Sequence, residues 1–248
     1  MSNNTYIPFS ISYYEFPSTY KFIKPRSQWI QNIISAHNSD IFIIENINFE
    51  CSVEIIDTLK ESGYEICVTD AKMKFALSVI ATKSAKFEIT VHKFMGFTNK
   101  INKVAGIFYV KVIIRGAGAN RSKNPHKYVI GLVTIDDRHP HHIRQLECLN
   151  EFIASLKTPF IYVGAFIDEM SISCDAWTET GESQILKNTK KNANNESRSH
   201  SICYYSNSGN NVFEQPLFDL VRPSTSEMSE NCVLKLTLVT GHITGLNK

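Results

Sequence analysis

The stretch Thr158-Pro159-Phe160-Ile161-Tyr162-Val163-Gly164-Ala165-Phe166-Ile167-Asp168 is the first place to look for chemistry. It reads as a buried strand that ends on a glycine turn, a place where scaffolds commonly present catalytic side chains. Ala165 and Ile167 stand where that chemistry needs polar groups. The frame of an enzyme site is expected, with part of its machinery missing. Two other clusters carry reactive residue types. Arg138-His139-Pro140-His141-His142 offers imidazoles, which bind metals or titrate near neutral pH. The cluster precedes a helix, and His141 and His142 do not easily face one point, so a pH-sensitive surface patch is favoured over a metal site. Lys187, Lys190, Lys191 and Arg198 make a polar segment locally basic. Solvated surface is the default reading there, and contact with a phosphate backbone is the sharper one.

The elements that must position these residues follow from hydrophobic patterning. Ile7 to Tyr14 reads as a first strand. Ser27 is placed to cap a helix to about Ala36, with Trp29, Ile30, Ile33 and Ile34 on one face. Ile41-Phe42-Ile43-Ile44 is a continuous apolar run of the kind buried on both faces, and it ends at Glu45. A second helix, Ser52 to Ser62, presents Val53, Ile56 and Leu59 and stops at Gly63. Strands are then expected at Tyr64–Val68, Phe75–Thr82, Phe87–Phe94, Gly106–Arg115 and Tyr128–Ile135. His142 to Leu156 is an amphipathic helix with Ile143, Leu146, Leu149, Phe152, Ile153 and Leu156 on a shared face. Asn188 to Ser199 reads as a flexible polar loop, and Ser201–Ser206 and Val233–Val239 as late strands. Pro216 to Arg222 reads as a helical turn. The order implies one α/β (α+β) domain over residues 1–248.

Composition bounds the function classes. Hydrophobic residues make up 43% and charged residues 20%, as in soluble globular chains. A net charge of +2 gives no global field for nucleic acid or an anionic membrane. Cys51, Cys67, Cys148, Cys174, Cys203 and Cys232 lack C-x-x-C pairing and nearby histidines at zinc spacing. No signal peptide or membrane span is read, so an intracellular location, cytoplasmic or nuclear, is expected. Lysine outnumbers arginine by 19 to 7, with 20 asparagines and 29 isoleucines, which suggests an AT-rich coding sequence.

The order of strands, helices and strand-end residues resembles the endonuclease/exonuclease/phosphatase superfamily, the DNase I-like proteins. The resemblance spans nearly the whole chain and rests on order, spacing and hydrophobic pattern. It implies a four-layer α/β sandwich of two central mixed sheets flanked by helices, with the site at one edge. It also implies hydrolysis of phosphate esters with Mg²⁺, whose hard oxygen ligands would be carboxylates at strand ends. The family's metal-binding glutamate falls on Glu45. Its early asparagine should lie near Tyr13 or Tyr14, where none stands, although Glu15 is close. The histidine ending the middle strand falls near Asp136, unless His139 slides in. The Gly-Asp-Phe-Asn motif reads Gly164-Ala165-Phe166-Ile167, and the next site strand reads Arg198-Ser199-His200-Ser201. The closing Ser-Asp-His reads Thr240-Gly241-His242.

On this resemblance Glu45 and His242 read as candidate relics of a site that has lost most of its other polar groups, with a packed, hydrogen-bonded histidine the favoured role for His242. The expected function is a catalytically degenerate phosphoesterase fold, kept for binding or self-assembly, as in a viral structural or crystal-forming protein. No cofactor is expected on that reading. A second reading is an active Mg²⁺-dependent phosphodiesterase or nuclease with a site rebuilt from Glu45, Asp136, Asp168 and His242, in which Glu45 holds the metal. A third is a nucleic-acid or nucleotide binder using Lys187, Lys190, Lys191 and Arg198. No membrane partner is expected.

Overall fold

The computed structural model describes residues 7–16, 23–69, 76–97, 105–115, 127–135, 141–166, 174–175, 188–191, 197–205, 213–221 and 233–240. In chain order the elements are β1 (Ile7–Glu15), α1 (Ile23–His37), β2 (Ile41–Asn48), α2 (Phe49–Glu61), β3 (Tyr64–Val68), β4 (Ala76–Lys83), β5 (Phe87–Gly96), β6 (Gly106–Ile114), β7 (Lys127–Thr134), α3 (His141–Ser155), β8 (Phe160–Phe166), β9 (Cys174–Asp175), β10 (Asn188–Lys191), β11 (Ser197–Tyr205), β12 (Phe213–Val221) and β13 (Val233–Thr240).

Two mixed sheets form. The first runs β12-β13-β1-β2-β4-β3, and the second β10-β11-β8-β7-β6-β5 with β9 paired to β11. Pairs β1–β2 and β7–β8 are parallel. Three apolar clusters explain the layers. Between the sheets lie Phe9, Ile11, Ile41 and Ile43 of the first and Val110, Ile130, Leu132 and Ile161 of the second. On the outer face of the first sheet, Tyr14, Phe42 and Ile44 pack with Ile30 and Ile34 of α1 and Ile55 and Leu59 of α2. On the outer face of the second, Val129, Phe160 and Tyr162 pack with Leu149 and Ile153 of α3. The run Ile41–Ile44 is continuous because alternate residues serve two different cores. The result is the DNase I-like α/β sandwich that the sequence implied.

Local chemistry sets the helix ends. Asn48 caps α2 by accepting from the Glu50 amide at 3.0 Å. Past its C-terminus Gly63 takes φ +84°, a left-handed conformation that suits glycine.

Several expectations are corrected. α1 begins at Ile23, so Ser27 lies inside the helix, and Pro25 occupies the first turn, where its missing N–H costs nothing. α2 begins at Phe49 and buries Cys51, Ser52, Ile55 and Leu59 while Val53 is exposed. In α3, Ile143 is exposed and Gln145 is buried, which rotates the packed face from the one expected. Asn188–Ser199 is not simply a loop: β10 and the start of β11 pair as an antiparallel hairpin. Pro216 lies in a strand, not a helical turn. β12 is an edge strand, and its register shifts between Glu214 and Leu217, the setting in which a strand tolerates proline.

Candidate functional site

Glu45 sits where β2 breaks its pairing with β4. The register shifts between Ile44 and Ile47, and Asn46 takes φ +59°. Such bulges redirect side chains and cluster beside functional sites. The displaced backbone is secured: the Asn46 amide donates to Ser78 Oγ at 3.3 Å and Phe16 N–H donates to the Glu45 carbonyl at 2.8 Å.

The bulge leaves the Glu45 side chain only 5% exposed between the sheets. Tyr13 Oη donates to Glu45 Oε2 at 2.8 Å, from neighbouring β1. Thr134 Oγ1 donates to Glu45 Oε1 at 2.9 Å, from the end of β7 in the other sheet. Both carboxylate oxygens thus accept hydroxyl protons, and the carboxylate ties the two sheets together. Tyr13 stands where the resemblance called for an asparagine. Thr134 was not singled out from the sequence, because 89 positions separate it from Glu45.

A second buried carboxylate lies alongside. Glu15 is in parallel register with Glu45 and accepts from Asn46 Nδ2 at 3.3 Å. Two buried carboxylates on adjacent strands are tolerable only with hydrogen-bond donors supplied.

The remaining candidates divide by position. Continuing the register that pairs Leu132 with Val163 sets Ala165 level with Thr134. His200 of β11 is the backbone partner of Ala165, so the altered glycine motif lies at the edge that carries Thr134. Lys190 and Arg198 are direct cross-strand partners in the β10–β11 hairpin, with Lys191 opposite Ser197. That hairpin adjoins the same edge, since Ser199 pairs with Phe166. His141 and His142 open α3. Asp136, His139, Asp168, Lys187 and His242 lie outside the described residues. Thr240, which leads toward His242, pairs with Ile7. Glu45 is level with Glu15 at the other end of β1, about 26 Å away at strand spacing.

The donor set can be compared with the Mg²⁺ that the fold family implies. Mg²⁺ takes near-octahedral oxygen ligands at about 2.0–2.1 Å. Both Glu45 oxygens already accept hydroxyls, and Glu15 accepts an amide. Among the described residues no three His, Cys, Asp or Glu side chains gather to hold an ion. The described residues therefore do not fit a Mg²⁺ centre.

Comparison with solved structures agrees with this sandwich architecture. D. rerio TDP2 complexed with a single-strand DNA product superposes with a TM-score of 0.67 at 11% identity, covering 93% of this chain and 98% of that one. An endonuclease/exonuclease/phosphatase family protein from Bacteroides thetaiotaomicron gives 0.64 at 14%, covering 95% and 99%. The human Nocturnin catalytic domain with a bound sulfate anion gives 0.65 at 11%, covering 96% and 98%. These likenesses establish the DNase I-like fold. No family model and no curated protein matches the sequence itself. No helix among the described residues is long and apolar enough to cross a membrane.

Proposed function

We propose that this chain is a catalytically degenerate phosphoesterase fold that acts by binding or by self-association. The observation that carries the reading is the double hydroxyl tie on Glu45. A carboxylate at the family's metal position is committed to joining two sheets, and Ala165 stands at the neighbouring strand end. The test is turnover of plasmid DNA and a phosphate monoester with Mg²⁺ or Mn²⁺. The expected result is no activity above a Glu45→Ala control. Activity lost in both Glu45→Gln and Glu15→Gln would instead support a rebuilt metal site on the in-register pair. Light scattering at rising concentration tests self-association, and a strictly monomeric protein would count against that half of the reading.

A second reading is nucleic-acid binding along the β10–β11 hairpin. Lys190 and Arg198 occupy one register position of the hairpin, which brings two cationic residue types onto adjacent strands. Charge reversal at both positions is expected to abolish salt-dependent binding of single-stranded DNA. Unchanged binding would remove this reading.

A further inference from the structure

The far end of the second sheet holds a cavity of about 520 Å³, within the range of small-molecule sites. It lies beyond the C-terminus of α3, where the helix no longer covers the sheet. Three separate elements each contribute a lysine: Lys111 from β6, Lys127 from the start of β7, and Lys157 from the α3–β8 connection. None of the three is ion-paired among the described residues. Glu88, which stands opposite Ile113 on β5, makes no ion pair with any of them.

The convergence has a direction. Ile113 pairs with Lys127 and Lys111 with Val129, so Lys111 and Lys127 are diagonal neighbours about 7–8 Å apart at their backbones. Three ammonium groups around one cavity repel one another, and an anion placed among them relieves that repulsion. The other lining groups restrict the ligand further. The hydroxyls of Thr90 and Ser155 already donate to the carbonyls of Lys111 and Phe152, while Thr158 has no described partner. Ile113 and Leu156 supply the cavity's apolar floor, while the Val112 side chain turns the other way into the core between the sheets.

We propose that this cavity binds a phosphate-bearing small molecule, its anionic head among Lys111, Lys127 and Lys157 and its apolar body on the floor. Lysine suits phosphate as a compact point charge. The cavity and the Glu45 tie stand at opposite ends of β7, since Lys127 begins that strand and Thr134 ends it. Binding here is independent of whether Glu45 is catalytic.

Calorimetric titration with inorganic pyrophosphate and with adenosine diphosphate tests the proposal. At least one probe is expected to bind, with affinity falling as salt rises. The double substitution Lys111→Gln and Lys127→Gln is expected to weaken binding at least 10-fold, with an unchanged circular dichroism spectrum. Glu45→Gln is expected to leave it unaltered. Tighter binding of the nucleotide than of pyrophosphate would place the body on the floor, whereas equal binding would assign the site to the anionic head alone. No binding of either probe overturns the proposal. So does binding that survives the double substitution, or binding that Glu45→Gln abolishes.

Discussion

Removing the hydroxyl of Tyr13 separates a structural Glu45 from a metal-binding one. Tyr13 is 1% exposed, and its hydroxyl donates to Glu45 Oε2 at 2.8 Å. Tyr13→Phe keeps the ring and deletes one hydrogen bond to a charged acceptor, at a cost of about 1.5–3 kcal/mol. For a chain of this length each kcal/mol moves the melting temperature by about 2–4 °C, so a fall of roughly 3–12 °C is expected. Thr134→Val removes the other donor and should cost about 1–2 kcal/mol, less because Thr134 is only half-buried. The double variant removes both hydroxyl donors from one buried carboxylate, so the two losses are coupled and should not add as independent sites do. Glu45→Gln carries the sign. If the carboxylate is a tie, neutralising it weakens both hydroxyl bonds and lowers stability. If it serves a metal, Glu15 and Glu45 repel in the metal-free protein, and neutralising one of them raises stability. Urea unfolding of the four variants in chelator reads the answer. A Tyr13→Phe variant within about 0.5 kcal/mol of the parent, or a stabilised Glu45→Gln, refutes the tie.

Other perturbations probe the frame. Gly131→Ala would place a Cβ 2.8 Å from Phe160 Cε2 and should cost about 1–3 kcal/mol by overpacking; a Phe160→Leu background that relieves the loss would confirm the cause. Asp40 Oδ2 accepts from the Ser10 amide at 2.9 Å and from Lys86 Nζ at 2.8 Å, so Asp40→Ala should lower the unfolding free energy read from urea titration by about 1–3 kcal/mol. Lys86→Ala should cost less, because it leaves Ser10 to hold the carboxylate. Burial, with Glu65 beside it, pushes the Cys67 thiol up to about 11 from an ordinary 9.0. The folded state therefore favours the neutral thiol. Its contribution to stability is complete below about pH 9 and is lost as pH rises through about 11. Urea midpoints should fall across that window, and less steeply in Cys67→Ala.

Most of the frame was legible because apolar runs are local. Ile41–Ile44 announced a strand buried on both faces, and it serves two cores. Errors fell where tertiary context overrides local pattern. Pro216 suggested a turn, yet an edge position and a register shift accommodate it in β12. The polar composition of residues 188–199 suggested a loop, yet cross-strand pairing suffices for a hairpin at a sheet edge. At the site, Glu45 was legible as a carboxylate ending an apolar strand. Its partners were not, because they lie 32 and 89 positions away. One signal was available: a tyrosine in a fully buried strand needs a partner for its hydroxyl. A strand-end glutamate looks the same in sequence whether it holds a metal or a hydroxyl. What separates the two is the group facing it from the opposite sheet. Among the described residues that group is Thr134, a proton donor, which supports a carboxylate and adds no charge with which to share an ion.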